Sequence, residues 1–307
     1  AVRKLAPQAD GILLPLAALL NGLGYVWIAR LDQDLAALQA TWTALGILGF
    51  VVTLAFVRRM RDLDTPYTLM IVGVGLLLLP LVPGVGRTIN GAKIWVALGP
   101  MSFQPGEFAK IALAISFAAY LVRKREVLSM PTFKIGPVAL PEPRDLGPVM
   151  LAWCFSLLVM FFEKDLGSSL LFFALFITMV WIATQRATYL VIGTILFSAG
   201  AVFAWKTFDH VQTRVEVWLN PWQDPSGKGF QVVQSWFSLA AGGVTGKGPG
   251  LGQPGLIPAA DTDFIFAAIG EELGLLGGSL ILVAFVLMVG AGLRIALTAD
   301  REFDKLL

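Results

Sequence analysis

The sequence predicts an all-α, polytopic membrane protein: a helix bundle with about eight transmembrane helices and one large extracytoplasmic loop. Three observations predict it. Of 307 residues, 56% are hydrophobic and 14% charged, whereas soluble domains carry about 25% charged residues. Eight apolar runs are long enough to cross the ~30 Å hydrocarbon layer as helices. Lys and Arg are spread unevenly between alternate connections.

The eight runs lie at residues 11–30, 41–57, 66–83, 107–122, 147–163, 167–185, 189–205 and 264–293. The run 167–185 holds no charge and is the clearest span. The run 107–122 contains Glu107 and Lys110 and is the weakest. The last run exceeds one span, so it tilts or its ends leave the hydrocarbon. With the N-terminus cytoplasmic, 14 Lys and Arg residues fall on the inside and 8 on the outside, as the positive-inside rule requires. Residues 206–263 then form a large extracytoplasmic loop within a single membrane domain, 1–307.

Several chemistries are excluded. The lone Cys154 rules out an intrachain disulfide and a cysteine metal cluster; it reads as a small buried hydrophobe. His210 is the single histidine, so a histidine-based metal site is not available. No phosphate-binding glycine loop follows a strand. A net charge of +2, with no basic cluster interleaved with aromatics, argues against nucleic acid. The abrupt start at Ala1 and the stop at Leu307 read as those of a fragment.

Three polar clusters sit where lipid should exclude them, and ionisable groups at membrane depth are rare and usually functional. From Gly84 to Lys110 the chain is apolar yet broken by Gly84, Gly86, Gly91, Gly99, Pro100, Pro105 and Gly106. That is too punctuated for a lipid-spanning helix, and a surface-skimming or re-entrant segment is expected. Glu107 and Lys110, at i,i+3, form either a structural ion pair or a substrate-facing pair. In the short turn Glu163 to Ser169, Asp165 is either a helix cap or an acid facing an outer cavity. Within 206–263, Phe230 to Leu239 has the spacing of a short amphipathic helix on the membrane face. Gly242 to Gly252 is either a flexible run or a backbone that approaches a ligand closely. Asp261 or Asp263 caps the last helix.

The strings GAKIWVALGPMSFQPGEFAKI (91–111), EKDLGSSL (163–170), NPWQDPSGKGFQVVQS (220–235) and PAADTDFIFAAIGEELGLLG (258–277) resemble the SEDS family (shape, elongation, division and sporulation), of RodA and FtsW type. The resemblance runs over about residues 66–295, and FEKDLG is most similar to actinobacterial RodA-like members. It implies a peptidoglycan glycosyltransferase that polymerises lipid II at the outer face of the cytoplasmic membrane, beside a class B penicillin-binding protein that cross-links the glycan. It implies that Asp263, in the Thr-Asp-Phe motif, is the essential catalytic aspartate. Lys93, Gln104, Glu107, Lys110, Asp165, Gln234 and Ser235 are the implied substrate-binding residues. The full family fold has ten helices; the last two and their Ser-Tyr-Gly-Gly-Ser motif are absent here. Asp261 stands where the family usually has histidine.

On this reading Asp263 takes a proton from an acceptor sugar hydroxyl as it attacks the anomeric carbon, with inversion. The pyrophosphate is already a good leaving group, so one carboxylate suffices where inverting hydrolases need two. Lys93, Lys110, Arg214, Lys228 and Lys247 are the outward cations available to the pyrophosphate. A Mg²⁺ or Mn²⁺ ion on Asp165 or Asp263 is compatible but not demanded by any spacing. A lipid II flippase and a non-catalytic scaffold of a cell-wall synthase are the alternatives. The charges crowd the outer helix ends, which suits one-sided surface chemistry better than transport.

Overall fold

The computed structural model describes the backbone of residues 2–307 except 8, 61–65, 90–91, 99–100, 130–132, 136–137, 141–142 and 163–165. In chain order the elements begin with α1 (Val2–Leu5), α2 (Leu13–Leu31), α3 (Gln33–Met60) and α4 (Pro66–Leu78). Strands β1 (Gly86–Ile89), β2 (Ala92–Leu98) and β3 (Met101–Phe103) follow, then α5 (Pro105–Arg123), α6 (Arg125–Ser129) and the strands β4 (Phe133–Ile135) and β5 (Val138–Leu140). The remainder is α7 (Pro143–Phe162), α8 (Leu166–Thr184), α9 (Ala187–Thr207), α10 (Asp209–Leu219), α11 (Phe230–Gly242), α12 (Ile265–Thr298) and α13 (Glu302–Leu306).

Among the described residues, six helices are long and apolar enough to cross a membrane, and the shorter apolar helices at Pro66–Leu81 and Gly147–Val159 complete the eight expected runs. The chain is a multi-pass membrane protein. It divides into two compact units: residues 1–60 with 200–295, and residues 61–199 with 296–307.

In the second unit the core is built on α5. Ala109, Leu113, Phe117 and Leu121 recur every four residues, so they form one stripe, and all are fully buried. Phe176 of α8 meets Phe117 edge-on, with centroids 5.2 Å apart, and stacks on Trp153 of α7 at 4.6 Å. At Gly73 of α4 a Cβ would sit 2.6 Å from Leu113 Cγ, so this glycine sets the α4–α5 spacing. The buried Ser116 hydroxyl donates to the Pro66 carbonyl at 2.7 Å; Pro66 starts α4. Ser116→Ala removes that buried bond, and thermal unfolding in detergent should report a loss of about 1 kcal/mol.

The weakest predicted span is thus the most enclosed: half of its apolar window is buried inside the protein. Protein covers one face of it, and its charges, Glu107 and Lys110, sit near its start, where they pair with each other. Cys154 is a correction in the other direction. It is exposed on α7, because a lipid-facing position needs an apolar side chain but not burial.

In the punctuated segment after α4, the strands β1, β2 and β3 form an antiparallel meander. Gly86 pairs with Val96 and Arg87 with Trp95, while Val96 pairs with Phe103 and Ala97 with Ser102. Short aromatic and β-branched runs bounded by Gly and Pro are a strand signal. Here it was masked by the apolar character of everything around it. Gly86 is required: a Cβ there would lie 1.7 Å from the Pro80 carbonyl oxygen.

In the first unit α2 runs antiparallel to α12, pinned near both ends. Arg294 of α12 pairs with Asp10 just before α2, and Arg30 in the last turn of α2 pairs with Glu272. Between them Trp27, Ile269 and Ile281 form a buried cluster. The Ile12 N–H, and then the Arg294 guanidinium, hold the Asp10 carboxyl below its ordinary range.

Candidate functional site

The expected 206–263 loop is largely ordered secondary structure. Helix α9 carries the chain to Thr207, α10 follows at once, and a compact turn leads into α11. In that turn the Asp224 carboxylate accepts the Lys228 N–H at 3.0 Å and the Asp224 carbonyl accepts the Gly229 N–H at 2.9 Å. Gly229 permits it, since a Cβ would fall 2.1 Å from the Pro221 carbonyl oxygen. Lys228 reaches Glu216 of α10 at 3.5 Å. Glu216, Asn220, Asp224 and Lys228 line an open pocket of about 300 Å³.

The glycine run after α11 is seated on α12. Lys247 N–H donates to the Glu271 carbonyl and Gly248 N–H to the Glu272 carbonyl, both at 3.0 Å. In return, the N–H groups of Leu275 and Leu276 donate to the carbonyls of Gly243 and Val244. This exchange needs a break in α12, which Gly274 supplies at φ 66. Gly242, Gly246 and Gly252 bring the backbone against α12, where an added Cβ would lie 2.1–2.8 Å from its atoms.

The segment then turns at 259–264 into α12. The N–H groups of Thr262 and Phe264 both donate to the Ala259 carbonyl, with Ala259 itself left-handed at φ 55. Asp263 is exposed and Asp261 half-buried. Among the described residues neither carboxylate makes a hydrogen bond or ion pair, so neither caps α12. Asp263 thus stands uncommitted at the head of a membrane helix.

The second unit holds four of the other candidates. Lys93 of β2 donates to the Leu81 carbonyl at 3.4 Å. Gln104 precedes α5 and its carbonyl accepts the Glu107 N–H. Glu107 and Lys110 form an ion pair at 2.7 Å with the glutamate side chain 58% exposed. A pair so exposed contributes little to folding. Glu107→Gln should shift unfolding stability by under about 0.5 kcal/mol, as thermal melts can check. Gln234 is half-buried on α11, and Ser235 is buried with its hydroxyl donated to the Val232 carbonyl at 2.7 Å. Asp165 lies outside the described residues. Lys110, Lys228 and Lys247 are ion-paired; Arg214 has no partner among the described residues.

Sequence reasoning passed over Glu271, Glu272 and Arg30. Both glutamates are 2% exposed. Glu271 takes Lys247 Nζ at 2.6 Å, and Glu272 takes Arg30 and the Gly250 N–H, the latter at 2.9 Å. Two adjacent acids inside an otherwise apolar run are themselves a flag, since such charges require partners.

The spans and this loop define a polytopic membrane protein with an uncommitted carboxylate on a braced surface segment. The chain belongs to the FtsW/RodA/SpoVE cell cycle protein family, whose sequence profile matches residues 24–307. It is 46% identical to the peptidoglycan glycosyltransferase RodA of Mycobacterium tuberculosis H37Rv, over 100% of this chain and 68% of the relative. It is 33% identical to a probable peptidoglycan glycosyltransferase FtsW of Geobacter metallireducens, over 88% of this chain and 69% of the relative. Among solved structures it matches a chain from work on the structural coordination of polymerization and crosslinking by a peptidoglycan synthase complex. There the TM-score is 0.74 at 29% identity, covering 97% of this chain and 81% of the other. It also matches an Asp-to-Ala variant of the Thermus thermophilus rod shape determining protein RodA, with TM-score 0.62 at 25% identity, covering 97% and 79%.

Proposed function

We propose that this chain polymerises lipid II into glycan strands at the outer face of the cytoplasmic membrane, with Asp263 as general base. Peptidoglycan glycosyl transfer is the activity class, supported by 46% identity across the whole chain to relatives named for it. The observation that carries the assignment of the base is the free, exposed carboxylate of Asp263 at the head of α12. Glu271 and Glu272 are buried in ion pairs and Asp224 accepts from its own turn; Asp261 is unpartnered too but half-buried, and it lies outside the Thr-Asp-Phe motif.

The chemistry asks little more of the protein than this. Asp263 accepts the proton of the acceptor hydroxyl as that oxygen attacks the anomeric carbon; the carbon–oxygen bond to pyrophosphate breaks on the opposite face. A general base supplies ~10²–10⁴ in rate. Positioning and charge neutralisation at the pyrophosphate supply the rest. In the same unit as Asp263, Arg214 is an outward cation with no partner among the described residues, and Lys228 and Lys247 come next. Were a Mg²⁺ or Mn²⁺ ion used, Asp263 would be the described carboxylate to hold it and the ion would supply charge neutralisation, which a chelator titration of polymerisation tests.

The higher identity to RodA than to FtsW relatives favours a role in cell elongation over division. The Lys and Arg bias favours a cytoplasmic N-terminus, which puts Arg30 and Asp263 outside. A class B penicillin-binding protein is the partner this reading expects, and the match to a peptidoglycan synthase complex supports it. The test is polymerisation of labelled lipid II by purified protein, wild type against Asp263→Asn. A flippase would retain lipid transfer in that variant, and a scaffold would produce no glycan in either.

A further inference from the structure

Glu271 and Glu272 are buried where carboxylates are costly, so their partners carry information. Arg30, 242 positions away from Glu272 in the chain, places its guanidinium on that carboxylate and also donates to the Gly252 carbonyl at 3.2 Å. Glu272 in turn accepts the Gly250 N–H. One charge pair therefore ties three segments: the last turn of α2, the end of the glycine run, and α12 just before its break. Lys247 on Glu271 fastens the start of the same run. A second Glu271 oxygen, Oε2, is buried and unpartnered, so Lys247 is that carboxylate's one compensating contact.

The same turn of α2 reaches the catalytic segment. Leu31, next to Arg30, packs with Phe264 against Ile257, Ala260, Ala267 and Ala268. These residues bracket Asp263 on both sides. Asp263 has no side-chain partner to hold it, so its place is set by this packing and by the backbone turn on Ala259.

We propose that Arg30, acting through Glu272 and seconded by the Lys247–Glu271 pair, is a positioning residue for glycosyl transfer, fixing α2 and the glycine run on α12 and thereby the seat of Asp263. The proposal rests on the reading of Asp263 as the base. A base must come within hydrogen-bond reach of its proton, and a misplacement of about 1 Å can cost on the order of 10² in rate.

The experiment uses the full chain in detergent with lipid II, together with a nitroxide at position 262 (Thr262→Cys in a Cys154→Ser background) read by electron paramagnetic resonance. Arg30→Gln should lower kcat by roughly 10- to 100-fold and leave KM within about twofold, since binding is not what it removes. It should also raise the mobile fraction of the nitroxide spectrum. Arg30→Lys should restore most of both, because it keeps the charge. A folded Arg30→Gln protein with wild-type kcat or an unchanged spectrum overturns the proposal, as does Arg30→Lys being no better than Arg30→Gln. Should Arg30→Gln fail to fold, Lys247→Gln, altered at a partly exposed side chain, is judged by the nitroxide spectrum alone, and an unchanged spectrum overturns the proposal. The spectrum requires no turnover, so it judges the clamp even if Asp263→Asn polymerises normally and the base assignment falls.

Discussion

Replacing Asp263 with asparagine should lower lipid II polymerisation by at least about a hundredfold and leave the unfolding temperature unchanged. The size follows from what is removed. Asparagine keeps the shape and loses the exposed proton-accepting group of the Thr-Asp-Phe motif at the head of α12. Stability should not move, because among the described residues the carboxylate makes no hydrogen bond, ion pair or cap. Asp261→Asn serves as the comparison: it removes an equally unpartnered acid two residues away, and only Asp263 carries the Thr-Asp-Phe position. Gel analysis of labelled glycan, with thermal melts of both variants, checks the result. Near-normal glycan from Asp263→Asn removes the base from this site. An equal loss from Asp261→Asn points instead to a shared role, such as joint binding of a cation.

The largest stability loss is expected at Gly246. Its φ of +82 is one that side chains rarely adopt. An added Cβ would lie 2.1 Å from the Glu272 carbonyl oxygen and 2.4 Å from its carbon. These are backbone atoms of a membrane helix and cannot rotate away. The glycine run must lift, which strands the hydrogen bonds from Lys247 and Gly248 and uncovers the buried Glu271 and Glu272. Gly246→Ala should therefore cost about 3–5 kcal/mol, at the upper end for single substitutions. Gly255→Ala is the control, since nothing lies within 4 Å of its added Cβ and its φ is ordinary. It should stay within about 0.5 kcal/mol. Tryptophan fluorescence melts distinguish the two, and a Gly246→Ala protein melting with the wild type would mean that the glycine run is not seated on α12.

The spans were legible because hydrocarbon imposes a local rule. Every backbone N–H and C=O in lipid must be paired within its own segment, and every lipid-facing side chain must be apolar. Such a rule is written residue by residue, so seven of the eight runs fell within a few residues of the observed helices. The exception, 41–57, belongs to a helix that starts at Gln33, because its first turns carry Asp34 and Gln39 and look like a connection. The amphipathic helix at 230–239 was legible for the same reason, from spacing alone, and is α11. The meander at 84–103 was not, because strand pairing depends on a partner strand and its apolar runs are too short to be told from broken helix.

The site divides along the same line. The Glu107–Lys110 contact is three residues apart and is visible as helix periodicity. Asp263 was singled out by its motif, and the structure adds that its carboxylate is uncommitted. The clamp from Arg30 to Glu272 left no trace in spacing, since its members are 242 positions apart. By itself, the sequence determined the membrane class, the eight spans and the family, all properties set by local composition or by contiguous strings. Only the tertiary structure decided that Gly242, Gly246 and Gly252 pack on α12, that one face of α5 is covered by protein, and that two buried glutamates find their cations in α2 and in the glycine run. Those outcomes depend on which distant segments meet, and a buried charge is stable only where its partner arrives.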